Sequence, residues 1–217
     1  MFLLTDADNI RDIAPDVLDA DGRIKIMPAS YYAGTTRPER TLFCVRHGVY
    51  GLHTQELVDF LRELVEMYAG SAIEIGAGNG VLADALGIPA TDNHMQERKD
   101  IHRLYKLAQQ EPVRYGANVQ RLDAITAIRC YQPRLVIGSW ITHLYRPEHH
   151  ARGGNMYAPD EREILRNCEA YVMIYNTRTH AQHPLLDIDH KRIAQDWLYS
   201  RALDGIDCVG IWQGRQT

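Results

Sequence analysis

No two cysteines of this sequence form a CxxC pair. Cys44, Cys130, Cys168 and Cys208 are far apart, which disfavours a zinc ribbon and a disulfide scaffold and fits reduced thiols in a cytoplasmic protein. Long apolar runs are missing as well. Arg134 to Ile141 and Ala170 to Tyr175 are too short to cross a bilayer, and Met1-Phe2-Leu3-Leu4 runs at once into Asp6 and Asp8, so neither a signal peptide nor a membrane span is expected. Nor is there a global basic field. A net charge of −4 disfavours a chain whose main business is gripping nucleic-acid backbone. Arg37, Arg40 and Arg46, with His47 and His53 following, are the local exception, and they read as a basic rim or as a solvated loop. Internal repeats and low-complexity tracts are absent.

What is present suffices for one domain with a sizeable core, since 45% of the 217 residues are hydrophobic. Residues 1–53 are the least periodic part: Pro15, Gly22, Pro28, Gly34 and Pro38 interrupt short apolar stretches, which predicts an irregular N-terminal arm over a better-ordered body at 54–217. From Thr54, a plausible N-cap, Leu57, Val58, Leu61, Leu64, Val65 and Tyr68 fall at helical spacing, with Gly70 just past the end.

Strand and helix patterns then alternate. Strands are predicted at 72–75, 90–92, 119–122, 135–139, 170–175 and 208–212, and helices at 81–86, 97–110, 160–167 and 191–203. Such alternation points to a doubly wound α/β fold around a mostly parallel sheet, with ligands outside the carboxyl ends of the strands.

The first predicted strand runs straight into three glycines at alternate positions, Gly76, Gly78 and Gly80. A dinucleotide turn of the form GxGxxG needs its third glycine where this chain has Val81, so that pattern fails. The stretch resembles instead the first motif of the class I S-adenosylmethionine-dependent methyltransferases, an acidic residue followed by GxGxG, here Glu74, Gly76, Gly78 and Gly80 with Ala77 between.

The resemblance runs from about Gly48 to Ile174 and implies a Rossmann-like methyltransferase fold with S-adenosylmethionine as cofactor. It places Asp92, followed by Asn93, on the ribose hydroxyls, Asp123 and Ala124 at the adenine, and Ser139 at the strand end bordering the reactive methyl. It also places Tyr50, in Arg46 to Thr54, on a loop closing over the cofactor, as part of the arm at 1–53. Each acid has a local alternative: Asp92 caps a turn, and Asp123 caps a helix. The family normally ends in a sixth strand and an antiparallel seventh, whereas only the strand at 208–212 stands out here, which predicts a missing or displaced edge strand.

Methyl transfer from a sulfonium chiefly needs alignment and, for a protonated acceptor, a base. The (Asn/Asp/Ser)-Pro-Pro-aromatic motif of enzymes that methylate base amino groups is absent, and so is a Pro-Cys pair, which leaves a small-molecule acceptor in front. The segment from Ser139 to Tyr157 is dense in aromatic and imidazole groups. Within it His143 is the candidate base and Trp140 the candidate wall for a flat substrate, against the alternative of a core tryptophan and solvated histidines. His180, His183, Asp187, Asp189 and His190 offer metal-ligand types without a ligand template, and no metal is assigned. A methyltransferase-like binding or regulatory protein is the alternative reading, and a metal-dependent hydrolase built on the histidine-rich loops the next.

Overall fold

The computed structural model describes residues 9–215. Met1 to Asp8, over which no leader is expected, lie outside them. Among the described residues no helix is long and apolar enough to cross a membrane.

The arm is more regular than its sequence pattern predicts. It holds α1 (Ala14–Val17), α2 (Ala29–Ala33) and α3 (Arg37–His47). The last of these starts at a capping box, in which Thr36 Oγ1 accepts from the Glu39 N–H at 3.4 Å and Glu39 Oε2 accepts from the Thr36 N–H at 2.6 Å. Gly48, at φ +65°, ends it. Ile13, Val17, Tyr32, Phe43, Cys44, Val49 and Leu52 give this part a small core of its own.

Next come β1 (Gly51–Leu52) and α4 (Gln55–Met67), which Thr54 caps as predicted by accepting from the Leu57 N–H at 3.2 Å. Then follow β2 (Ala72–Ile75), α5 (Val81–Leu86), β3 (Ala90–Asp92), α6 (Lys99–Leu107), β4 (Val119–Arg121), α7 (Ala124–Tyr131), β5 (Leu135–Ser139), α8 (Glu161–Arg166), β6 (Ala170–Asn176), β7 (Lys191–Ile193), β8 (Tyr199–Ser200) and β9 (Asp207–Gln213).

The main sheet has the order β4-β3-β2-β5-β6-β9-β7, parallel from β4 to β6, with β9 antiparallel to both its neighbours; β1 and β8 pair separately. This is the predicted doubly wound α/β fold. The period-two alternation of side chains divides its core. Ile73, Ile75, Val136, Tyr171 and Met173 pack with α7 and α8 on one face, while Ala72, Leu135, Ile137, Val172 and Ile174 pack with α4 on the other.

The C-terminal part corrects the predicted helix over 191–203. Lys191–Ile193 instead pairs with Ile211, Gly210 and Val209 of β9, so no edge strand is missing. The helical spacing of Ile193, Trp197 and Leu198 is met by loop packing against the α4 face of the core. Sheet pairing overrides local propensity there. The chain runs from β2 to β3 and β4 on one side and returns to β5 and β6 on the other. The switch point of the sheet therefore lies between β2 and β5, at the glycine loop.

Candidate functional site

A cleft of about 1260 Å³ opens at the carboxyl ends of the parallel strands, and its floor is the turn after β2. Gly76, Gly78 and Gly80 have φ of +58°, +54° and +71°. This left-handed backbone at alternate positions is the reason for glycine in the turn. Space adds different demands along the turn: a Cβ on Gly76 would come within 2.3 Å of the end of the Ile141 side chain. A Cβ on Gly80 would come within 2.6 Å of Asn118 and Val119, so that glycine serves packing, and Gly80 is not on the cleft wall. A Cβ on Gly78 would meet nothing closer than Val113 at 3.4 Å, an ordinary contact, so of the three it is the glycine on the cleft wall that packing alone does not demand.

Glu74 is buried under the loop, where Oε2 accepts from the Ala83 N–H of α5 at 2.9 Å. Burial pushes its pKa up to about 8. Ala77 lines the cleft beside it.

The next two strand ends carry the predicted acids to the same cleft. Asp92 Oδ2 accepts from the Gly78 N–H at 3.1 Å and Oδ1 from the His94 N–H at 2.8 Å. Burial raises its pKa, against the lowering effect of these backbone donors. Each oxygen keeps a lone pair after one such bond, so anchoring the glycine loop leaves acceptor capacity. Asn93 is engaged on both sides, accepting from the Met95 N–H at 2.9 Å and donating to the Tyr157 carbonyl at 2.7 Å. Asp123 caps α7 by accepting from the Thr126 N–H at 3.0 Å and from Thr126 Oγ1 at 2.6 Å. Burial raises its pKa, but these hydrogen bonds outweigh it and the net shift is downward. Its helix-capping alternative is thus real, and Asp123 and Ala124 also line the cleft.

The facing wall carries Ser139, Trp140, Tyr50 and two imidazoles. Trp140 has φ +60°, a backbone state that costs a bulky residue roughly 1–3 kcal/mol and collects at functional sites. Its N–H donates to the Ile174 carbonyl at 2.9 Å, which holds the turn. His53 Nε2 lies 3.3 Å from Ser139 Oγ, and His180 packs edge-on against Trp140 at 5.2 Å. Burial lowers both histidines to a pKa of about 4, so each is a neutral imidazole at pH 7. Tyr50 bonds through its hydroxyl to Tyr105 and receives the Gln96 amide at 3.3 Å, which ties the loop over the cleft to α6 and the segment before it.

His143 departs from expectation. It does not line this cleft but a second cavity of about 320 Å³, with Arg146, His149, Arg152 and Glu161, and packs edge-on against His183 at 5.2 Å. The extended chain here pairs with the following loop, the His143 carbonyl accepting from the Asn155 N–H at 2.9 Å. That pairing leaves Thr142 and Tyr145 on the cleft and turns His143 away. The imidazoles that line the cleft are instead those of His53 and His180.

The remaining histidine-rich segment is occupied by structural contacts. His183 Nδ1 accepts from the Leu185 N–H at 3.2 Å and its Nε2 lies 2.6 Å from Glu161 Oε2, while His190 stacks on Trp212 at 4.4 Å. Among the described residues no three His, Cys, Asp or Glu side chains are grouped to hold a metal ion. The basic rim is likewise engaged, Arg37 with the Leu203 carbonyl, Arg40 with the Thr35 carbonyl at 2.6 Å and Arg46 near Asp12 at 3.6 Å. Gln96, Tyr105, Tyr115 and Arg201, all on the cleft wall, carry no motif; Arg201 falls in the stretch whose spacing predicts a helix.

No protein-family model matches this chain, and no curated protein does. Among solved structures it is similar to WbdD at 12% identity with a TM-score of 0.42, covering 72% of this chain and 39% of that one. It is also similar to a SAM-dependent O-methyltransferase from Thermotoga maritima at 10% identity with a TM-score of 0.44, covering 84% of this chain and 72% of that one. The chain spans about two fifths of the length of WbdD.

Proposed function

We propose that this protein is an S-adenosylmethionine-dependent methyltransferase acting on a small molecule, with the arm at 1–53 helping to cover the cofactor. The observation that carries the reading is the meeting of Gly78, bare toward the cleft, with the Asp92 carboxylate that accepts its N–H. The cofactor would supply an electrophilic methyl group on a sulfonium. Around it, Asp92 has acceptor capacity for ribose hydroxyls, and Asp123 and Ala124 flank the place of the adenine. Ser139 and Trp140 stand where the acceptor would meet the methyl. His53 and His180, held neutral, are able to accept a hydrogen bond from that acceptor and orient it. The compartment proposed is the cytoplasm, in keeping with four unpaired cysteines.

A second reading, a binding protein with this pocket but no turnover, is favoured by one observation: an imidazole with a pKa of about 4 is a weak base at neutral pH. Calorimetry with S-adenosylhomocysteine tests the shared part, with binding expected and no binding overturning both readings. Transfer of a labelled methyl group to a metabolite pool then separates them.

A further inference from the structure

Two arginines stand on the cleft wall among the described residues, and they differ in what they face. Arg178 lies 3.6 Å from Asp204, whereas Arg201 has no carboxylate of the described residues within ion-pair distance. Arg201 is half-buried. Its main chain is pinned, the N–H donating to the Tyr50 carbonyl at 3.0 Å and the carbonyl accepting from Thr41 Oγ1 at 3.1 Å. Its guanidinium carbon sits 3.9 Å from the centre of the Tyr50 ring, and one nitrogen reaches Gln110 Oε1 at 3.4 Å. Stacking on the ring uses none of the N–H donors, and the Gln110 contact is long, so most of the fork remains free to bond. A fixed, partly desolvated guanidinium without a counter-charge is a site for an oxyanion.

The surroundings of Arg201 describe the rest of the ligand. Thr41, Val45, Leu104, Ala202 and Leu203 line the cleft beside it. The α6 helix buries no residue, yet its Ile101, Leu104 and Tyr105 line the cleft, so its apolar face is turned toward a ligand instead of a core. The volume of about 1260 Å³ exceeds the roughly 300–1,000 Å³ of a single-ligand pocket, which leaves room for a second molecule. One unpaired cation matches a single negative charge, and the planar guanidinium fork suits the two coplanar oxygens of a carboxylate.

We infer that this lobe binds the methyl acceptor and that the acceptor is a small carboxylic acid, its carboxylate on Arg201 and its flat apolar body against Tyr50 and Trp140. The word acceptor rests on the methyltransferase reading; the carboxylate site does not. The test is calorimetry of wild type, Arg201→Gln and Arg201→Lys with para-hydroxybenzoate and its neutral amide, para-hydroxybenzamide, each with and without saturating S-adenosylhomocysteine.

Wild type is expected to prefer the carboxylate by about tenfold or more, Arg201→Gln to bind the two probes within about twofold, and Arg201→Lys to fall between. The affinity of Arg201→Gln for S-adenosylhomocysteine should stay within about threefold of wild type, a change under 1 kcal/mol. Equal binding of the two probes by wild type, or an unchanged preference in the variants, overturns the inference. So does a loss of about tenfold in S-adenosylhomocysteine affinity with the probe preference intact, because the arginine would then hold the cofactor's own carboxylate. Should Arg201→Gln fail to fold by circular dichroism, Arg201→Lys carries the same comparison. The titrations without S-adenosylhomocysteine read the carboxylate site even if that compound does not bind, so failure of the methyltransferase reading is seen separately.

Discussion

The two walls of the cleft are assembled in different ways. One is a contiguous strand, turn and helix, β2 through α5, joined by the ends of the neighbouring parallel strands at Asp92 and Asp123. The other draws Tyr50 and His53 from the arm, Tyr105 from α6, Trp140 from the end of β5, His180 from the loop after β6 and Arg201 from beyond β8. On the first wall residue identity is dictated by backbone: left-handed turns want glycine, and N–H groups left open at a turn or helix start want an acid. On the second it is set by side-chain contacts between segments far apart in sequence, such as Tyr50 with Tyr105 and Arg201 and Trp140 with His180. A wall of the first kind marks itself in sequence, and a wall of the second kind becomes visible only when the sheet has brought distant segments together.

Asp92→Ala is the strongest way to break this contrast, because it removes a carboxylate that serves the backbone and is proposed to serve the ligand. If Asp92 holds two ribose hydroxyls, its loss should cost about 2 to 4 kcal/mol of S-adenosylhomocysteine binding, from hydrogen bonds to a charged group that do not simply add. That is a loss of roughly 30-fold to 1000-fold by calorimetry. A loss below about threefold would leave Asp92 with the Gly78 and His94 N–H groups as its whole task.

The same contrast explains what was legible in the sequence. The doubly wound sheet, the strand ends at Glu74, Asp92 and Ser139 and the capped helix α4 follow from local periodicity and turn chemistry, and the structure has them. Helix α3 was readable too, since Thr36-Arg37-Pro38-Glu39 carries both a capping box and a proline in the first turn; the prolines and glycines around it hid the signal. By contrast β7 is three residues long and exists through pairing with β9, which local pattern does not reveal. The placement of His143 was illegible for a similar reason. Which way a side chain turns after a strand depends on the loop it pairs with, here the chain at Gly154 and Asn155.

The walls also differ in the sign of their response to pH. On the glycine side, Glu74 is raised by burial to about 8, so its contribution to stability is complete below the unfolded carboxyl pKa and is lost as pH rises toward 8. On the facing side, His53 and His180 are lowered by burial to about 4, so their contribution is complete above the unfolded imidazole pKa and is lost as pH falls toward 4. Each group gives a slope of at most about 1.4 kcal/mol per pH unit, less for the half-buried His53. Below about pH 6.5 the two histidines oppose Glu74 and stability should rise with pH, and above it the histidines are silent and Glu74 makes stability fall. Thermal unfolding is therefore expected to peak near pH 6.5, with a decline of about 2 kcal/mol by pH 8. Glu161 is also raised by burial, against the lowering effect of His183 and Tyr171, and acts in the same direction as Glu74. Glu74→Gln keeps an acceptor for the Ala83 N–H and should flatten that limb, while His53→Gln should soften the acid one. An alkaline limb unchanged in Glu74→Gln would mean that Glu74 is already ionised in the fold.

The smallest effect sharpens the contrast most, because it falls on a residue that belongs to both descriptions. Asp123 caps α7 through two bonds from Thr126, and its carboxylate also borders the cleft where the adenine amino group is proposed to lie. Asparagine is as good an N-cap as aspartate, so Asp123→Asn should leave stability within about 0.5 kcal/mol, whereas Asp123→Ala should lose about 1 kcal/mol. The asparagine variant lacks the second carboxylate oxygen and the charge. It keeps one side-chain oxygen, which the Thr126 N–H occupies, and its amide donors would face the adenine amino donors. If Asp123 accepts from the adenine, Asp123→Asn should therefore bind S-adenosylhomocysteine about fivefold to tenfold more weakly, the equivalent of roughly 1 to 1.4 kcal/mol, with the unfolding midpoint unchanged. S-inosylhomocysteine, which presents an acceptor oxygen in place of the amino group, should then reverse the preference, since the asparagine amide can donate to that oxygen and the carboxylate cannot. Equal affinity of wild type and Asp123→Asn for S-adenosylhomocysteine would confine Asp123 to its helix and leave the adenine to be read by the backbone around Ala124.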